Sequence, residues 1–166
     1  MLTSSSCRVR RCGADNAALL RQIRLEALLD APEAYGSTYD ESRTFSLERW
    51  ADMAGSRVYY LGESEGQVVG MAAGGRNDDH PDTHWLYGMY VSPSRRGSGL
   101  APQLVEAVGE WARDEGATAL HLHVGSTVAR ARAFYEKVGF VLTGDAKVME
   151  RDPSMHVLEM VKNLVR

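Results

Sequence analysis

The chain has 166 residues, 44% of them hydrophobic and 25% charged, with a formal charge of −3. That size suits one domain with a real core, and residues 1–166 are read as a single domain. The charge argues against a nucleic-acid partner held by bulk electrostatics. No apolar run approaches a membrane span, and residues 1–12 lack the apolar centre of a secretory signal. A cytoplasmic protein with no nucleic-acid or membrane partner is therefore expected. Cys7 and Cys12 are too few for a disulfide framework. No His, Cys and carboxylate group has zinc-site spacing, so no metal is expected.

In chain order, residues 7–12 read as a first strand and Asp15 as the N-cap of the helix that follows. Leu19, Ile23 and Ala27 form its apolar stripe, with Leu20 and Leu28 beside it, and Pro32 ends it. A loop rich in Gly, Ser and Tyr leads to a short helix over 47–53. "RVYYLGES" and "QVVGMAAGG" read as a hairpin turning at Glu65-Gly66. Residues 76–82 read as a polar loop, and "HWLYGMYV" as the fourth strand.

A helix over 102–115 carries Leu104, Val108 and Trp111 on one face, with Val105 and Ala112 alongside, Pro102 in its first turn and Gly116 beyond its end. "ALHLHV" alternates, so Leu120, Leu122 and Val124 face one way and His121 and His123 the other. A further helix spans 128–138 and stops at Gly139, and two strands follow around 140–143 and 155–161. This order predicts an α/β fold: a mixed, mostly antiparallel sheet of six to seven strands flanked by about four helices.

The stretch Arg96-Gly97-Ser98-Gly99 sits where a strand gives way to a helix. Bare N–H groups at a helix start favour anions, and glycines let a phosphate come close. A P-loop would need Lys and Ser or Thr after its glycines, where this chain has Leu100 and Ala101. A dinucleotide fingerprint would need Gly or Ala where Pro102 stands, and an acid where His123 and Val124 stand. A glycine-rich turn without function is the remaining alternative.

With "ARARAFYEKVGF" downstream, this loop resembles the GCN5-related N-acetyltransferase (GNAT) superfamily. Arg96-Gly97-Ser98-Gly99-Leu100-Ala101 matches its Q/R-x-x-G-x-G/A signature, flanked by strand 86–91 with Pro93 and by "FYEKVGF". The resemblance runs from about Val9 to Met160. "RLEALLDAPEAYGST" and "DPSMHVLEM" look like a bacterial subgroup of unassigned acetyltransferases.

The resemblance implies acetyl-CoA as co-substrate, with its pyrophosphate in the loop from Arg96 to Ala101 and charge supplied by Arg95 and Arg96. It implies that the backbones of Met89, Tyr90 and Val91 pair with pantetheine and polarise the thioester carbonyl. Phe134 would adjoin the co-substrate. Ser126 and Thr127 would stand in for an Asn that the family carries where this chain has Val128. Tyr135 is implied as the proton donor to the departing thiolate, although spacing alone fits a buried helix face.

The base is open among Glu41, His84, Tyr87, His121, His123 and a water chain, with Glu41 placed first. Asp30, Glu33, Asp40 and Glu41 oppose only Arg43 and would suit a cationic amine, or simply form a solvated loop. Tyr35, Tyr39, Trp85 and Tyr87 fit a pocket or the core. The function expected is acetyl-CoA-dependent N-acetylation of a primary amine of a small molecule or protein. The alternative is a catalytically silent acyl-CoA-binding domain on the same fold. A homodimer is compatible with the sequence.

Overall fold

A computed structural model describes residues 6–77 and 79–166. Seven strands make one sheet in the order β1-β2-β3-β4-β5-β7-β6. They are β1 Arg8–Cys12, β2 Val58–Ser64, β3 Gln67–Asn77, β4 His80–Val91, β5 Ala119–Gly125, β6 Val141–Val148 and β7 His156–Asn163. The helices are α1 Ala17–Asp30, the single turn α2 Tyr39–Ser42, α3 Leu47–Ser56, α4 Leu100–Asp114 and α5 Ala129–Lys137. All neighbouring strands run antiparallel except β4 and β5. Mixed, mostly antiparallel α/β is the architecture expected.

Period-two alternation sorts the side chains into two layers. On one face Met71, Ala73 and Tyr90 pack with Leu20, Ile23 and Ala27 of α1 and Trp50 of α3. On the other, Ala72, Leu86, Leu120, Leu122 and Val124 pack with Leu104, Val108 and Ala112 of α4 and Tyr135 of α5. All the residues of β6, at the sheet edge, are exposed.

The hairpin turns at Glu65 and Gly66, both with positive φ (53° and 75°), a geometry matched to the twist of its strands. Two expectations are corrected. Residues 76–82 are not all loop: Arg76 pairs with His84 and Asn77 with His80, because ladder bonds join backbones whatever the side chains. Asp78, within that stretch, lies outside the described residues. Nor does Asp15 cap α1. A 3₁₀ turn at Ala14–Asn16 precedes the helix, and Asn16 Oδ1 folds back to accept from the Gly13 N–H at 3.3 Å. The α4 helix starts at Leu100, earlier than residue 102, because Pro102 is tolerated anywhere in a first turn.

The sheet is closed everywhere but at one place. β4 and β5 pair only at His84–Leu120 and Trp85–His121, then part. Beyond Trp85, the β5-facing edge of β4 is open.

Candidate active site

The open edge ends in the glycine loop. Gly97 and Gly99 have φ of 81° and 88°, which an L side chain resists, and Gly99 is the N-cap of α4. Their N–H groups meet no acceptor among the described residues. Ser98 Oγ accepts from the Leu100 N–H at 3.4 Å. Leu100 seats the helix start on the sheet: it is fully buried, and a Cβ on Gly62 would come within 2.7 Å of its side chain. The loop and the helix dipole thus make a fixed concavity of donors, suited to a phosphate.

The two arginines are already engaged. Arg96 pairs with Asp30 at 2.8 Å and donates from Nε to the Val91 carbonyl at 3.2 Å. Arg95 pairs with Glu65 at 3.3 Å, while its Nε is buried without a partner. A phosphate would compete with carboxylates for both.

β4 carries a bulge at the opening. Between the pairs Met71–Tyr90 and Ala73–Tyr87 it holds one more residue than β3, and Gly88 takes a φ of 58°. Ser92 bonds to β3 through Val69, so by alternation Val91 turns its polar groups toward the gap. The Met89 carbonyl accepts the Tyr35 hydroxyl at 3.0 Å. Carbonyls on this strip are therefore satisfied by the protein's own side chains, Tyr35 for Met89 and Arg96 for Val91.

Tyr35 comes from the α1–α2 loop, which Arg151 holds by donating to the Pro32 and Tyr35 carbonyls at 3.1 and 2.9 Å. Tyr135 comes from α5 in the opposite layer and packs edge-on to Phe140 and beside half-buried Phe134. The two phenols are close enough to interact electrostatically. Burial pushes the Tyr135 phenol well above its ordinary range, and Tyr35 pushes it further. It stays protonated, with no hydrogen bond to spend it on among the described residues.

The other expected site residues scatter. Glu41 is exposed on α2; its backbone serves the turn, with its N–H on Thr38 Oγ1 and its carbonyl accepting from Thr44. His84 faces α4 beside Trp111 and is buried. His121 and His123 lie on the opposite face with Trp85, His123 stacked on its ring at 4.6 Å. His121 Nδ1 stands 3.7 Å from Glu159, an ion-pair distance too long for a hydrogen bond. His123 is exposed on β5, and partial desolvation against Trp85, aided by Lys147, lowers its pKa and favours the neutral imidazole. Ser126 and Thr127 sit exposed before α5, and Val128 is its N-cap with no side-chain bond. A cleft of about 430 Å³ lies apart from the opening, between α1 and β3, lined by Glu26, Asp30 and Tyr90.

The profile of the acetyltransferase (GNAT) family matches residues 21–140. The chain belongs to the GNAT family. The family's co-substrate is acetyl-CoA. The uncharacterized N-acetyltransferase YjgM of Escherichia coli is 31% identical over 134 residues, 76% of each chain. Human N-acetyltransferase 8 is 31% identical over 111 residues, 64% of this chain and 49% of its own length. The chain thus spans about half the length of that relative. Among solved structures, an acetyltransferase of Streptococcus pneumoniae superposes with a TM-score of 0.80 at 19% identity, covering 95% of this chain and 99% of its own. YncA of Salmonella typhimurium, whose structure holds acetyl-CoA, gives 0.79 at 20%, covering 98% and 96%.

Sequence reasoning missed Tyr35 and Arg151 as contributors. Tyr35 was visible only as one aromatic among several, and no spacing rule links Arg151 to a loop so far away in the chain.

Proposed function

We propose that the chain is an acetyl-CoA-dependent N-acetyltransferase that acetylates a primary amine. The observation that carries this reading is the glycine nest at the start of α4, whose Gly97 and Gly99 N–H groups meet no acceptor among the described residues, beside the open edge of β4. Gly97, Gly99 and the first turn of α4 would hold the pyrophosphate, with Ser98, Leu100 and Ala101 shaping that turn. The N–H groups of Met89 and Val91 would receive pantetheine and the thioester carbonyl, and Tyr90 anchors the strip to β3 through Met71. Phe134, Ser126 and Thr127 would flank the co-substrate from the α5 side. Bound there, acetyl-CoA supplies the activated acetyl group.

Three things are required of the protein. The amine must be neutral, the carbonyl polarised, and the departing thiolate stabilised. Tyr135 serves the last by donating a hydrogen bond, since its raised pKa makes full proton transfer costly. For the first, His123 fits better than Glu41, because it is neutral and faces the α1 layer beside Trp85. The amine nitrogen bonds to the acetyl carbon, the C–S bond breaks, and the amine proton leaves through His123 or water. The chain would act as one domain over residues 1–166, with a small molecule or protein as acceptor.

The test is thiol release from acetyl-CoA with a panel of amines, with products read by mass spectrometry. Acetylated product with stoichiometric thiol is expected. Binding of acetyl-CoA without thiol release for any amine would favour the silent acyl-CoA-binding domain.

A further inference from the structure

Arg24 reaches from the middle of α1 to the bulge on β4. Its Nη1 lies 3.4 Å from where a Cβ on Gly88 would stand, and its guanidinium covers the Tyr35 ring at 4.9 Å. Its hydrogen bond to Ser37 Oγ is long, at 3.5 Å. Burial depresses its pKa, and no carboxylate is near enough to offset that among the described residues. Arg57, at the foot of β2, lies over the Tyr87 ring at 4.3 Å and pushes the Arg24 pKa down further.

A half-buried guanidinium with no carboxylate beside it is an unfavourable arrangement unless an anion joins it. Elsewhere the chain answers such cations with acids: Arg96 has Asp30, Arg95 has Glu65 and Arg10 has Glu63. Here it does not. Of the four acids expected to draw a cationic amine, Asp30 is engaged by Arg96 and Tyr90 and Asp40 by Arg43, and Glu41 is exposed on α2, away from the bulge.

We propose that Arg24, with Arg57 behind it, binds the carboxylate of the acceptor, so that the amine acetylated is that of an α-amino acid. The inference rests on the acetyl-transfer reading above. The anion is not the pyrophosphate of the co-substrate: the glycine loop adjoins Asp30, about 9 Å further along α1. Gly88 is the neighbour of Met89, where the thioester carbonyl would sit. An anion held at Arg24 therefore lies beside the strip where the acetyl carbonyl would sit, which suits an amine that carries its carboxylate close by, as in an α-amino acid. Gly88 leaves room for it.

The experiment compares wild-type kcat/KM for α-amino acids with that for their primary amides, which keep amine and side chain but lose the charge. The amides have the more acidic, more readily neutral amine, so uncharged chemistry favours them. A preference for the acids of about tenfold or more is expected, as for one charged hydrogen-bonded contact. It should vanish in Arg24→Gln and shrink in Arg57→Gln. Amides acetylated as well as the acids by wild type would overturn the inference and leave the acetyl-transfer reading standing. If no amine of either kind releases thiol, that reading fails instead. The carboxylate site is then decided by thermal shift with N-acetyl amino acids and their amides: equal shifts overturn it, and a shift with the acids alone supports it.

Discussion

The Tyr35 hydroxyl donates to the Met89 carbonyl at 3.0 Å, tying the loop after α1 to the bulge of β4. Burial pushes the Tyr35 phenol well above its ordinary range, so the donor is present at any working pH. Tyr35→Phe keeps the ring under Arg24 and removes only this bond. The variant should unfold more easily by about 1 kcal/mol, the worth of one neutral hydrogen bond, in denaturant titration. An unchanged midpoint and slope would mean that the bulge holds itself.

Gly99 separates phosphate binding from backbone strain. Its φ of 88° resists any side chain, although a Cβ there would meet nothing within 4 Å. Gly99→Ala should therefore cost about 1–2 kcal/mol of stability while retaining part of the CoA-induced rise in Tm. If the loop holds the pyrophosphate as proposed, Gly99→Asp sets a carboxylate against it and should lose nearly all of that rise. For the parent, CoA at about 100 times its Kd should add roughly 2.7 kcal/mol. Equal ligand shifts in the Ala and Asp variants would remove the loop from the phosphate site.

His84 is 5% exposed, and neither ring nitrogen has a hydrogen-bond partner. Burial lowers its pKa; the Asp82 backbone offsets part of this without completing a bond. The unfolded chain therefore binds a proton at His84 that the folded chain refuses. Stability is full above about pH 6.5 and falls as pH drops toward the folded value. His84→Leu should raise stability at neutral pH by roughly 1 kcal/mol and flatten part of the acid decline. Urea midpoints between pH 4 and 8 would show it, and parallel curves for both proteins would refute the assignment to His84.

Much of this was legible in the sequence because it is local. The alternation in "ALHLHV" fixes which face of β5 meets α4, and the glycines before Leu100 mark the donor-rich helix start. What hid was tertiary. Arg24 sits beside an apolar stripe and reads as an ordinary surface arginine until α1 brings it against Gly88. Residues 76–82 looked like a loop because their polarity tracks solvent, whereas strand pairing follows the backbone. Asn16 turned back to Gly13 for want of a signal distinguishing a 3₁₀ entry from a helix cap. Acidic composition put Glu41 first as a base, but composition alone does not aim a side chain, and the fold leaves Glu41 exposed on α2.

Val128 is the N-cap of α5, and its Cγ2 would stand 3.1 Å from a Cβ on Gly125. Val128→Asn offers both a capping oxygen and a ligand contact. If it contacts the co-substrate, CoA affinity should tighten by about 0.5–1.5 kcal/mol. If it only caps the helix, apo stability rises by up to about 1 kcal/mol with affinity unchanged. Calorimetric Kd and apo Tm, measured together, separate the two. A flat Kd means that Ser126 and Thr127 already fill the role.

Tyr135 supplies the last prediction. Its ring is packed against Phe134 and Phe140, so Tyr135→Phe should preserve fold and CoA affinity and remove only the hydroxyl. If that hydroxyl acts as charge develops on sulfur, as proposed, kcat and kcat/KM should fall together, by about 10²–10⁴-fold for acid assistance of this kind. A donor thioester with a more acidic thiol needs less help and should narrow the gap between the two proteins. The raised phenol pKa adds a pH test. Wild-type activity should show no loss from Tyr135 ionisation near pH 10, the ordinary value for a phenol. A Phe variant with wild-type kcat, or one impaired only in CoA binding, would return Tyr135 to the helix core it also helps to build.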